Sequence, residues 1–188
     1  MVTAGCWLSL DVATVTGVAI WAGRGIVTTM IVRPHPKGTS AMKASRWALD
    51  IGTGKPEVYP SEVAAWRAVL AWCPTTPSRL VLEEGFVGKP GAAKVVAERR
   101  GRVLGILAVL GVDEAGRVIP SEWRRVVRET WGRVIAWPSA GEDCKRMAVD
   151  LVRERWGHDV TADEADAVLV GWWARCTGVM VAAQEVSG

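Results

Sequence analysis

The spacing of apolar and polar positions predicts a sheet that opens with three consecutive strands. Cys6–Leu10 and Val18–Trp21 read as strands separated by the turn residues Thr14, Thr16 and Gly17, and Ile26–Val32 follows the Gly23-Arg24-Gly25 turn. Thr39–Ile51 and Glu62–Trp72 read as helices, the second opened by Pro60-Ser61. Leu80–Glu83 is a short apolar strand that ends in acids. A helix over Ala92–Leu110 follows Gly88-Lys89-Pro90-Gly91 and stops at Gly111. Val118-Ile119 reads as a fifth strand, and Ser121 caps a helix over Glu122–Trp131. Two capping boxes come next: Ser139 with Glu142 opens a helix to Trp156, and Thr161 with Glu164 opens one to Arg175. This order predicts an α/β fold, a mixed five-stranded sheet with its first three strands antiparallel and helices packed on it.

Composition narrows the class. The 188 residues suit one domain spanning 1–188, and 49% hydrophobic with 23% charged residues excludes disorder and fibrous repeats. No run approaches the ~20 apolar residues of a membrane span, so no membrane partner is expected. Cys6, Cys73, Cys144 and Cys176 lack C-x-x-C spacing, which argues against a zinc site and a disulfide framework and fits a reducing cytoplasm. The net charge of +3 is uneven: Lys89–Arg133 holds ten basic and five acidic residues, whereas Trp137–Gly188 holds five basic and nine acidic. A basic middle beside an acidic C-terminal segment suits a phosphate-backbone binder with a carboxylate site; solvated helix faces give similar counts.

Four carboxylates stand where acids are expensive. In Leu8-Ser9-Leu10-Asp11-Val12 the strand period sets Asp11 opposite Leu8 and Leu10, and Glu83 stands likewise apart from Leu80 and Leu82. Asp163 and Asp166, spaced i, i+3, share one face at the start of the last helix, with Glu164 as the capping partner of Thr161. Each acid has a plainer reading: Asp11 bracing the Thr14–Gly17 turn, Glu83 capping a loop, Asp163 complementing a helix dipole. Asp166 is harder to explain so, because Ala167-Val168-Leu169-Val170 follows it. Acids from two strands and one helix would repel one another unless divalent cations neutralise them, and hard oxygen ligands suit Mg²⁺ or Mn²⁺.

These residues resemble the RuvC-like Holliday junction resolvases of the RNase H-like superfamily. The resemblance rests on Leu8-Ser9-Leu10-Asp11 with Thr16-Gly17, on Leu82-Glu83-Glu84-Gly85-Phe86-Val87-Gly88-Lys89 before a long helix, and on Ala162-Asp163-Glu164-Ala165-Asp166-Ala167. It implies a homodimeric, Mg²⁺-dependent endonuclease that nicks opposed strands of four-way DNA junctions and leaves 5′-phosphate and 3′-hydroxyl ends. Asp11, Glu83, Asp163 and Asp166 would bind two Mg²⁺ ions, with Mn²⁺ as a substitute. Phe86 falls where the family places an aromatic that stacks on junction bases, a role that competes with ordinary core packing. Lys145 resembles the basic residue aimed at the scissile phosphate, and Arg124 matches another basic position. Gly85 and Pro90, in the loop after Glu83, depart from the family pattern, as does the region between Pro34 and Pro60. The compact size and Arg- and Trp-rich composition look more like phage-encoded relatives.

On the long helix Lys94, Arg99, Arg100 and Arg102, with Lys89 before it, are candidate phosphate contacts; an ordinary exposed face is the alternative for each. Gly101 and Gly105 would admit a close helix neighbour, and the two-fold character of a four-way junction calls for a homodimer. His35 and His158 stand in polar contexts, and no Ser-His-Asp or Cys-His arrangement supplies a nucleophile. Three rivals stand beside this reading. A sister nuclease acting on flaps, forks or RNA–DNA hybrids would carry the same acids, and a non-catalytic scaffold for branched DNA would keep only the basic residues. An actin-like phosphotransferase needs small glycines where Val12-Ala13-Thr14 stands, so no nucleotide cofactor is expected.

Overall fold

A computed structural model describes residues 5–23, 25–41, 43–52, 54–84, 90–119, 122–123 and 141–179. Among the described residues seven strands form one sheet: β1 (Cys6–Val12), β2 (Thr16–Ala22), β3 (Gly25–His35), β4 (Arg46–Asp50), β5 (Glu57–Tyr59), β6 (Arg79–Glu83) and β7 (Asp113–Val118). Their spatial order is β5-β4-β3-β2-β1-β6-β7. β1 to β5 are antiparallel, while β6 runs parallel to β1 and β7 parallel to β6. The described residues include four helices, α1 (Glu62–Ala71), α2 (Pro90–Val109), α3 (Gly141–Trp156) and α4 (Ala162–Cys176); α1, α2 and α4 pack on the sheet, and α3 packs against α4. Among the described residues no helix is long and apolar enough to cross a membrane.

The period-2 pattern of β1 divides two cores. Leu8, Leu10 and Val12 face α1 and α2, packing with Trp66, Val69, Val103 and Leu107. Trp7 faces the other way, toward Trp21, Val81 and the α3 and α4 residues Leu151, Val168 and Trp172. Ser9 is wholly buried on that second face, and its hydroxyl donates to the Ala167 carbonyl at 2.6 Å while accepting from Trp21 Nε1 at 2.8 Å. Gly171 makes room for this pair, since a Cβ there would lie 2.3 Å from Trp21 Nε1. α4 is thereby fixed against the middle of β1 and β2.

The α/β class with an antiparallel opening stands, but the sheet has seven strands rather than five. The segment expected as a helix over Thr39–Ile51 instead contains β4, and β5 follows it. Ala41, Ala44, Ala48 and Leu49 favour a helix locally, but tertiary pairing overrides that preference. β3 continues past Val32 through Pro34 to His35 and offers an edge on which Arg46–Asp50 pairs. The Arg33 guanidinium then holds the Asp50 carboxylate with two bonds, of 2.7 and 3.1 Å. Thr16 and Gly17, expected in a turn, are the first residues of β2.

β7 begins at Asp113, earlier than expected. It is a polar edge strand, with Arg117 bound to Glu114, and such edges carry little hydrophobic signal while resisting edge-to-edge association. The capping box of α4 forms as expected: the Thr161 hydroxyl accepts from Glu164 N, and the Glu164 carboxylate accepts from Thr161 N. Ser61 caps α1 by accepting from Ala64 N at 3.1 Å. Of the helix expected from Glu122, the first two residues are helical; the rest, with Ser121 and Ser139, lies outside the described residues.

Candidate active site

Asp11 is near the C-terminal end of β1 and Glu83 at that of β6. The parallel register, Leu10 beside Leu82, sets the two acids side by side on the face that carries α4. Across the other edge of β1, Asp11 pairs with Gly17 of β2. Here the backbone of α4 comes in, for a Cβ on Gly17 would lie 1.9 Å from the Asp163 carbonyl oxygen and 2.4 Å from its carbon. A glycine within a strand signals such a close backbone approach, a signal carried by the sequence at Gly17.

The first turn of α4 thus brings Asp163 and Asp166 to the acids of the sheet. The Asp11 carboxyl is pushed well above the usual carboxylate range, by burial first, then by the negative charges of Glu83, Asp166 and Asp163, and by a hydrogen bond with Glu83. Glu83 is only 8% exposed and accepts a 2.8 Å hydrogen bond from Trp123 Nε1. Lys145 Nζ on α3 stands 3.9 Å from Asp163 Oδ1, with its side chain 59% exposed. Arg100 on α2 faces the same acids: burial lowers its pKa, and the charges of Glu83, Asp11 and Glu84 oppose that shift. All five residues expected to carry the chemistry, Asp11, Glu83, Asp163, Asp166 and Lys145, are therefore in one neighbourhood.

The all-oxygen donor set, crowded enough to hold Asp11 toward its protonated form, fits a hard divalent cation. Among the described residues no three His, Cys, Asp or Glu side chains are grouped tightly enough to enclose an ion unaided. Oxygen atoms from outside the protein, such as phosphate or water, would complete a coordination shell.

The expected phosphate contacts separate into groups. Arg99 is only 1% exposed, so it is not positioned to contact DNA. It forms an ion pair with Glu62, stacks 4.6 Å from the Trp47 ring centroid and donates to Thr16 Oγ1 at 3.4 Å. The physical reason is helical phase: Arg99 precedes the buried Val103 and Leu107 by one and two turns, a stripe visible in the sequence. Arg102 reaches Glu62 Oε2 at 2.7 Å from a more open position, and exposed Lys94 stands 3.9 Å from Glu98. Phe86, Lys89 and Arg124 lie outside the described residues.

Trp123 and Glu62 escaped the sequence reading because their roles depend on contacts 40 and 37 residues away in the chain. Replacing Trp123 with Phe keeps the ring but removes the donor to buried Glu83. The expected loss is ~1–3 kcal/mol of stability, read by denaturant unfolding, because a buried acceptor gives up one of its hydrogen bonds. An unfolding midpoint equal to that of the unaltered protein would show that the bond contributes nothing.

No family model and no curated protein matches this sequence. Among solved structures the chain is similar to Thermus thermophilus RuvC in complex with a Holliday junction substrate, at 16% identity and a TM-score of 0.54, covering 94% of this chain and 96% of that one. A second Thermus thermophilus RuvC structure matches at 17% identity and a TM-score of 0.48, covering 93% and 97%. With β1 and β6 presenting acids to the first turn of α4, and with the first of these matches spanning nearly the whole chain, the protein has the RuvC-like form of the RNase H fold.

Proposed function

We propose that this protein is a structure-specific endonuclease that resolves four-way DNA junctions by metal-dependent hydrolysis, nicking two opposed strands and leaving 5′-phosphate and 3′-hydroxyl ends. The convergence of Glu83, Asp163 and Asp166 on Asp11 carries this reading. It is supported by the fold shared with a protein whose solved complex contains a Holliday junction. Asp11, Glu83, Asp163 and Asp166 would hold two Mg²⁺ ions, for which Mn²⁺ would substitute. Bound there, the ions supply Lewis-acid stabilisation of the charge that builds up on the phosphate, and they ease deprotonation of the attacking water.

The protein's own part is placement. β1 fixes Asp11 at the centre, Trp123 orients Glu83, and the Gly17 contact seats the acids of α4 opposite them. Lys145, charged and open to solvent beside Asp163, draws the scissile phosphate toward the carboxylates. Arg100 offsets part of the negative charge from the α2 side. Lys94 and Arg102, together with Lys89, Arg124 and the stacking residue Phe86, contact the junction arms.

The proposed homodimer is supported by the open face of α2. A Cβ at Gly101 or Gly105 meets nothing within 4 Å, and Val109 is 86% exposed. Two copies related by a two-fold axis would place two sites on the two opposed strands of a junction.

The test incubates the purified protein with a labelled immobile four-way junction, a matched duplex and a flap, in EDTA, Ca²⁺, Mg²⁺ or Mn²⁺. Symmetric paired nicks in the junction, dependent on Mg²⁺ or Mn²⁺, are expected. Preferential cutting of flaps or RNA–DNA hybrids would assign the site to a sister nuclease. Tight junction binding without cleavage in any metal would make the protein a scaffold.

A further inference from the structure

Beside the acids a cavity of about 350 Å³ opens between the β1–β2 turn, the ends of β3 and β4, the loop that joins them and the start of α4. Asp163 forms part of its wall, so the cavity and the carboxylate site share a residue. Its size is at the small end of the ~300–1,000 Å³ range of ligand pockets, enough for one nucleotide and too little for a duplex.

The lining divides by chemistry. Val15, Ile31 and Pro34 give an apolar surface, and Thr14 and Thr39 contribute hydroxyls, while the Thr161 hydroxyl is already taken by Glu164. Arg33 also lines the cavity, but Asp50 already satisfies its guanidinium. The available cation is Lys37, exposed in the β3–β4 loop and without an ion pair among the described residues. An apolar wall, directional hydroxyls and a lysine at the rim match the base, the base edge and sugar, and the phosphate of a nucleotide.

We infer that this cavity binds the nucleotide of the cut strand next to the scissile phosphate, with Lys37 on the adjoining phosphate and Thr14, Thr39 and Val15 setting base preference. The inference rests on the nuclease reading and deepens it. The shared Asp163 wall gives the direction: a strand whose phosphate is drawn to Asp163 and Lys145 has its neighbouring nucleotide within reach of the cavity. A lysine contact to phosphate is blind to sequence, whereas contacts along a base edge are not, so the two halves of the cavity make separable predictions.

Two variants test it, both in exposed or half-buried loop positions and both verified as folded by thermal melting. The substrate is a set of four-way junctions randomised around the crossover, cleaved in Mg²⁺, and one fixed junction is titrated by anisotropy in Ca²⁺. Lys37→Ala is expected to weaken junction binding 3–10-fold and slow cleavage of every sequence alike. Thr39→Trp, which fills the cavity, is expected to change base preference at least fivefold at one position next to the cut and not at distant ones.

If the unaltered protein cleaves with a base preference and neither variant alters binding, rate or preference, the inference is wrong while the nuclease reading stands. If it cleaves nothing but its junction binding depends on Lys37, the nuclease reading falls and the cavity's contact with the strand is upheld. Failure to bind any junction overturns both. Submillimolar inhibition by free dTMP, with junction binding indifferent to Lys37→Ala, would assign the cavity to a free nucleotide and overturn the inference.

Discussion

Asp11→Asn is expected to lower junction cleavage by ~10³-fold or more while leaving junction affinity within a factor of a few. The size follows from the several kcal/mol of transition-state charge stabilisation that a bound divalent ion supplies, at 1.36 kcal/mol per tenfold. Affinity is spared because phosphate contacts dominate DNA binding, and Asn removes a negative charge rather than a cation. The same substitution is expected to raise thermal stability in EDTA at neutral pH. Burial and the charges of Glu83, Asp166 and Asp163 hold the folded-state pKa of Asp11 above its unfolded value, so ionised Asp11 weakens the fold. That handicap is absent at low pH, where the group is protonated in both states, and develops as pH rises from the unfolded pKa toward the raised folded one. The stability gap between the two proteins should therefore narrow on acidification.

Magnesium should reverse the order, stabilising the unaltered protein more than the variant, because only the former retains the full donor set. Cleavage and melting curves measured on the same preparations decide the matter. Full cleavage by Asp11→Asn would remove Asp11 from the site. A variant that is less stable than the unaltered protein in EDTA at neutral pH would instead mean that Asp11 supports the fold and is not an electrostatic burden.

The faces on which the sheet's two acids stand were legible because carboxylates on a strand obey the same period as its core residues. Leu8 and Leu10 on one face force Asp11 onto the other, and Leu80 and Leu82 do the same for Glu83; the observed cores divide along these lines. The Thr161–Glu164 capping box likewise marked the start of α4, and with it the positions of Asp163 and Asp166. Local rules failed where a partner distant in the chain decides. Arg46–Asp50 is a strand because β3 extends to meet it, and Arg99 is buried because Glu62 and Trp47 await it. Three arginines in the four residues from Arg99 to Arg102 suggest a basic surface, yet helical phase sends Arg99 inward and leaves Arg102 nearer the surface.

Gly17→Ala is the second substitution expected to act strongly, and it works through backbone alone. The added methyl would meet the Asp163 carbonyl at 1.9 and 2.4 Å and Glu164 N at 3.1 Å, none of which can rotate away as a side-chain tip would. Either the start of α4 lifts from β2 or the β1–β2 hairpin bends. Both movements separate Asp163 and Asp166 from Asp11, which sits directly across the strand pair from Gly17. Overpacking of this kind costs ~1–3 kcal/mol and occasionally more. A displacement near 1 Å at reacting groups costs ~10²-fold in rate, so cleavage measured well below the melting temperature should fall by about that factor. The two readouts carry different information: lower stability alone would follow from any tight glycine, whereas slow cleavage by a folded variant requires that Gly17 set the spacing between the acids of the sheet and those of the helix. A Gly17→Ala protein that melts and cleaves like the unaltered one would show that the α4 start can yield without moving Asp163 and Asp166, and the proposed geometric control of the site by Gly17 would have to be abandoned.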